Sequence, residues 1–192
     1  MRKISLLLTF SFFFFNLYSQ NNVATVNKIQ GLLIFTDCQP ISDYEVVGEV
    51  NTLMGTDDDL KKSGAQYQPV RDLLIKITKQ VNYKADGLIL SLVNGGQDKA
   101  VIIKFKDQTT KNSLARVNQY QGIYIFVDNE PLNAYDYAGN IIPKNKSNSN
   151  QYTSIRELFL QKCVKDFGQA KGMILKFVNG GADIGDAIKF KN

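Results

Sequence analysis

Two aspartates stand at matching places in this chain, Asp37 in "IFTDCQP" and Asp128 in "IFVDNEP". Carboxylates brought together by a twofold can share one proton and divide acid and base roles between them. Neither segment carries the D-[TS]-G context of aspartic-protease-like sites. An Asp that closes an apolar run shortly before a Pro is more often a turn former. Both are therefore expected as turn residues, with a carboxylate-based hydrolase or ligand-processing enzyme as the alternative.

The remaining candidates are weaker. Asp57-Asp58-Asp59 offers three carboxylates, but it occurs once and lacks EF-hand spacing, so a solvated loop is expected rather than calcium. Arg71 and Arg156 each precede an acid, Asp72 and Glu157, and are expected to pair with it on a helix surface. Cys163 falls at helical spacing between Phe159 and Phe167 and reads as a small buried hydrophobe, ahead of a Cys38–Cys163 bridge. There is no histidine, P-loop, zinc-ligand spacing, G-x-S-x-G or CxxC. No catalytic, cofactor-binding or metal-ligating residue is assigned, and no cofactor is expected.

The elements that would position these residues come in two copies. Residues 24–50 match 115–141 at a constant offset with 11 of 27 positions identical, and 67–106 match 152–191 with 16 of 40. The reading is an α+β protein of two tandem β-β-α-β-β modules, 24–107 and 115–192, related by internal duplication. Each module is a small sheet with one packed helix.

In each module "GLLIFTD" or "GIYIFVD" opens as a short branched and aromatic strand, and Tyr44–Val50 or Tyr135–Ile141 supplies the second. The helix starts near Pro69 in one copy. In the other, Ser154 and Glu157 have capping-box spacing. Val70, Leu73, Leu74, Ile77 and Val81 form its apolar stripe, as do Ile155, Leu158, Phe159, Cys163 and Phe167. "ADGLILSLVNGG" or "AKGMILKFVNGG" then gives a strand and a glycine turn. In the closing strand Ile103 and Phe105, like Ile188 and Phe190, face the core. Lys104, Lys106, Lys189 and Lys191 face solvent, where lysines guard an exposed sheet edge, a reading preferred to an anion site.

The third strand is apolar on both faces: Leu88, Leu90 and Leu92 on one, Ile89 and Val93 on the other. Met173, Leu175 and Phe177 oppose Ile174 and Val178 in the same way. One helix covers one face only, so the other needs a cover, and the sister module is the economical one.

"MRKISLLLTFSFFFFNLYSQ" has a basic start and a short apolar run, the layout of a secretory signal peptide over 1–19 with cleavage before Gln20. Without Arg2 and Lys3 the net charge of +5 falls to about +3, too mild to point to nucleic acid. No later run is long enough for a transmembrane segment. The expected place is the periplasm or the extracellular medium.

The pattern Ile34-Phe35, Pro40-x-x-x-Tyr44-x-x-x-Gly48, Tyr67-x-x-x-Arg71-Asp72 and Ala85-Asp86-Gly87-Leu88-Ile89 resembles uncharacterised exported proteins of Bacteroidota. It is more distantly similar to the Rcs stress-sensor lipoprotein domain and to the heavy-metal-binding domain family. The resemblance implies a compact α+β envelope module. The metal site of the last family finds no soft-ligand set here, since histidine is absent and neither cysteine recurs. The functional expectation is a non-catalytic binding or scaffolding protein of the envelope with a protein or glycan partner. Contact is expected through the unequal loops "NTLMGTDDDLKKSGAQ" (51–66) and "IPKNKSNSN" (142–150).

Overall fold

The computed structural model describes residues 21–64, 66–81, 84–93, 97–108, 112–143, 151–179 and 182–191. The leader expected over 1–19, the glycine turns expected at 94–96 and 180–181, and most of the segment 142–150 lie outside the described residues. The first half of the chain forms β1 (Val23–Val26), β2 (Lys28–Ile29), β3 (Leu32–Phe35), β4 (Cys38–Pro40), β5 (Tyr44–Asn51), a 3-10 turn (Thr52–Met54), α1 (Asp57–Ser63), α2 (Tyr67–Gln80), β6 (Gly87–Ser91) and β7 (Lys99–Phe105). The second half forms β8 (Leu114–Val117), β9 (Gln119–Tyr120), β10 (Ile123–Val127), β11 (Asn129–Pro131), β12 (Tyr135–Ile141), α3 (Tyr152–Asp166), β13 (Gly172–Lys176) and β14 (Ile184–Phe190). The class is mixed α+β, mostly sheet.

There are two five-stranded sheets, ordered β2-β3-β6-β7-β5 and β9-β10-β13-β14-β12. In each, one pair is parallel, β3 with β6 and β10 with β13, because a helix crosses over between them; the other pairs are antiparallel. The opening hairpins turn on Gln30-Gly31 and Gln121-Gly122, all four at positive φ, the type I′ geometry that suits strand twist. Gly87 and Gly172 open β6 and β13 where backbones crowd: a Cβ there would lie 2.8 Å from the Leu33 carbonyl oxygen or the Ile188 side chain.

A third sheet, ordered β11-β1-β8-β4, interleaves strands of the two halves. Ala24 faces Pro131 on one side and Ala115 on the other, while Cys38 pairs with Val117. The apolar content sorts accordingly. Ile34, Leu88, Ile102, Ile125, Met173 and Leu175 pack under the helices, with Leu74, Ile77, Phe159 and Leu160 above them. Phe35, Ile103, Phe105, Phe126, Ile174 and Phe190 turn the other way, toward Ala24, Val26, Ala115 and Val117 of the interleaved sheet. Ile89 packs with this second group. Val93 and Val178 are exposed instead.

Several expectations need correction. β1, β2, β4 and their second-half counterparts β8, β9 and β11 are additional strands, too short for an alternation to be visible. Segment 51–66 is not a plain loop. Thr56 and Asp59 form a capping box, and the three acids occupy the first turn of α1, where the helix dipole favours them. Ser154 is not a cap: α3 begins at Tyr152 with Gln151 as N-cap. The lysine-bearing strands β7 and β14 are internal, and β5 and β12 form the edges beside them. Lys104 and Lys189 therefore face solvent from the sheet surface, opposite Glu45 and Asp136. Because both sit on internal strands, edge protection does not account for them, and the acid Asp136 is paired with Lys191 at 2.9 Å.

Candidate functional site

Asp37 and Asp128 are turn residues with φ of 50° and 54°, a left-handed conformation that Asp tolerates better than most side chains. The kink releases the chain from β3 into β4, and from β10 into β11, carrying it out of the five-stranded sheet into the interleaved one. The carbonyl of each turn accepts a bond from the other half of the chain: Asn27 N–H donates to Asp128 O at 2.9 Å, and Asn118 N–H to Asp37 O at 2.8 Å.

Their side chains do the same with the helices. Tyr67 and Arg71 lie one turn apart on α2, as do Tyr152 and Arg156 on α3, so each pair presents one face. Tyr67 donates its hydroxyl to Asp128 Oδ2 at 2.6 Å, and Arg71 Nη1 reaches the same oxygen at 2.9 Å. Reciprocally, Tyr152 donates to Asp37 Oδ2, and Arg156 Nη1 lies 3.2 Å from both carboxylate oxygens. Each aspartate thus holds the helix of the opposite half. Asp72 and Glu157 pair with their neighbouring arginines at 2.9 and 3.0 Å, as expected. The arginines are not on the surface, however: their side chains are only 9% and 13% exposed.

The two clusters differ in one partner each. Tyr120 adds a hydroxyl to Asp37 Oδ1 at 2.9 Å and places its ring 4.2 Å from the Arg156 guanidinium. At the matching place in the first half stands Ile29. Around Asp128 the added group is Thr36, which shares a hydrogen bond with the Tyr67 hydroxyl at 2.8 Å. The clusters meet where the Tyr67 and Tyr152 rings lie 5.2 Å apart, both against Phe177.

The electrostatics fix the protonation of the two tyrosines and the two arginines. Burial pushes the Tyr67 and Tyr152 hydroxyls well above the usual tyrosine range, and the facing carboxylates push them further. Both stay neutral donors. Burial alone would lower the two guanidinium pKa values, but Asp128 and Asp37 more than reverse it, so both are raised. Asp37 and Asp128 share no hydrogen bond, and each is engaged by its own arginine and tyrosine. The cleft beside Tyr67, Tyr152 and Asp98 has a volume of about 10 Å³, which is the space of about one water.

Elsewhere, Asp98 and Asp183 accept bonds from the Val93 and Val178 amides at 3.0 and 3.1 Å, and burial raises both carboxyls. Asp59 bonds Lys76 Nζ at 2.7 Å, fastening α1 to α2. Cys38 and Cys163 are free and buried, in different hydrophobic groups. Among the described residues no three His, Cys, Asp or Glu side chains converge as a metal set, and no helix is long and apolar enough to cross a membrane.

Sequence reasoning missed Tyr67, Tyr120 and Tyr152 as partners of the aspartates. The repeated Tyr-x-x-x-Arg was a visible signal; its crossing to the opposite half was not. Comparisons with protein-family models, with curated proteins and with solved structures returned no match.

Proposed function

We propose that this chain is an exported, non-catalytic binding or scaffolding protein of the cell envelope, periplasmic or extracellular. In this reading two duplicated β-β-α-β-β modules lock into one body. The observation that carries it is the mutual satisfaction of Asp37 and Asp128. General acid–base work needs a group that substrate can reach and that exchanges its proton near the working pH. These carboxylates are instead each held by a guanidinium and a phenol of the opposite half, and the cleft beside the phenols has room for about one water. Groups spent on holding the body together leave recognition to its outer surface.

The partner class is an envelope protein or a glycan. For a protein the favoured contact is the segment 52–63, where exposed Leu53 and Met54 precede the acidic turn of α1. The second-half loop that corresponds to it, "IPKNKSNSN", is basic. The test is crosslinked capture from native envelopes, with the mature N-terminus expected at or near Gln20. Exchange of 52–63 for a Gly/Ser linker is expected to abolish capture. A measurable turnover that Asp37→Asn or Asp128→Asn removes from a still-folded protein would replace this reading with the carboxylate enzyme.

A further inference from the structure

We propose that a cleft on the second half of the chain, between Lys171 and Lys189 and beside Phe190, binds an acidic saccharide through its carboxylate. The proposal deepens the binding reading above and rests on it.

The first half of the chain supplies its own picture of the occupant. There Asp86 accepts the Phe105 amide N–H at 2.8 Å and the Gln108 Nε2–H at 2.9 Å. The corresponding residues of the second half are Lys171 and Phe190. The backbone correspondence is close. Asp86 N–H donates to Ile103 O at 2.9 Å and Lys171 N–H to Ile188 O at 3.0 Å, while Leu33 and Tyr124 donate to the carbonyls of Asp86 and Lys171 at 3.0 Å each. A carboxylate therefore fills this position in one half. In the other its place is taken by a lysine, which has donors only.

Around that lysine lies an open cleft of about 660 Å³, within the roughly 300–1,000 Å³ usual for small-ligand sites. Lys189 joins Lys171 in its wall, and neither forms an ion pair among the described residues. Two such unpaired lysines in one wall favour an anion there. The rest of the wall selects the body attached to it. Gln119 and Gln169 bring side-chain amides, and Gln119 donates its Nε2–H to the Gly122 carbonyl at 3.0 Å, which directs its Oε1 to act as acceptor. Half-buried Tyr124, whose ring meets Phe190 edge-on at 6.3 Å, adds an aromatic side chain to the wall. Amides for hydroxyls, an aromatic side chain for a sugar's C–H surface and two lysines for a carboxylate suit a uronate better than a bare anion.

The test is isothermal titration of the mature chain with trigalacturonate, neutral maltotriose, inorganic phosphate and a blocked tripeptide with a free C-terminal carboxylate. Trigalacturonate is expected to bind with an affinity that falls as salt rises. Lys171→Asp rebuilds the first-half arrangement and is expected to weaken binding at least about tenfold. Lys189→Gln is expected to weaken it less, and Lys104→Gln, in the first half, to leave it unchanged. Unchanged thermal unfolding of each variant checks the fold. Absence of binding, indifference to Lys171→Asp, or equal binding of phosphate, maltotriose or the peptide overturns the assignment. Cleavage of the trisaccharide would overturn the non-catalytic reading while leaving the cleft assignment in place.

Discussion

Tyr67 and Tyr152 meet with ring centroids 5.2 Å apart, and each hydroxyl reaches the aspartate of the opposite half of the chain. The contact joins two ion-paired clusters into one buried polar centre, so loss of one carboxylate leaves a guanidinium with only its neighbouring acid, Asp72 or Glu157, and at least one phenol without its charged acceptor.

Asp37→Asn and Asp128→Asn keep the size of the side chain and its tolerance of positive φ, and so isolate the charge. Each is expected to cost about 1–3 kcal/mol in urea unfolding, since a largely buried guanidinium and phenol lose their shared charged acceptor while Asp72 or Glu157 still holds the arginine. Asp37→Asn should cost more, because Tyr120, Tyr152 and Arg156 all converge on it. Equal and negligible losses would refute a structural role for the pairs.

Alkaline stability should fall above about pH 10, the ordinary tyrosine value. Burial, and then the facing carboxylates, raise Tyr67 and Tyr152 well above it in the folded state. Below that pH both states keep the proton and the groups add no slope. As pH rises past it the unfolded chain binds fewer protons than the folded one, and stability is lost. Phenolate absorbance should show Tyr67 and Tyr152 ionising only on unfolding; full titration in the folded protein near pH 10 would contradict this.

Acid should loosen α1 first. Hydrogen bonds from Lys76, then from Thr56, lower the Asp59 carboxyl from 3.8 to about 2. The stability it contributes is present above about pH 4 and is lost as pH falls toward 2. Amide exchange in 57–63 measured across this range should accelerate before the sheets respond, and Asp59→Asn should remove the pH dependence.

The crowded glycines should be unequal. Gly87→Ala directs a Cβ at the Leu33 carbonyl oxygen, a backbone atom, and is expected to cost about 2–3 kcal/mol. Gly172→Ala meets the buried side chains of Ile188 and Phe126 rather than backbone, so the core must shift to admit it, and it should cost somewhat less. Thermal unfolding of the pair decides the order.

Burial, and for Cys38 also the Asp37 charge, pushes the thiols up to about 12 for Cys38 and about 11 for Cys163. A thiol reagent at pH 8 should label neither in the folded protein and both in denaturant. Labelling of either before unfolding would place it in a looser setting than the buried one described.

The sequence by itself determined what neighbours along the chain determine. Branched runs made β3, β6, β10 and β13, and helical spacing buried Leu74, Ile77, Phe159 and Cys163. Constant offsets put an Asp, a Tyr-x-x-x-Arg and closing-strand lysines into each half. Only the tertiary structure decided that Asp37 meets Arg156 and Asp128 meets Arg71, that β1 lies between β8 and β11, and that Lys171 comes beside Lys189. The physical reason is separation. A three- or four-residue strand has no periodicity of its own, and a contact across 57 or 119 positions depends on how two sheets share a third, which no local pattern encodes.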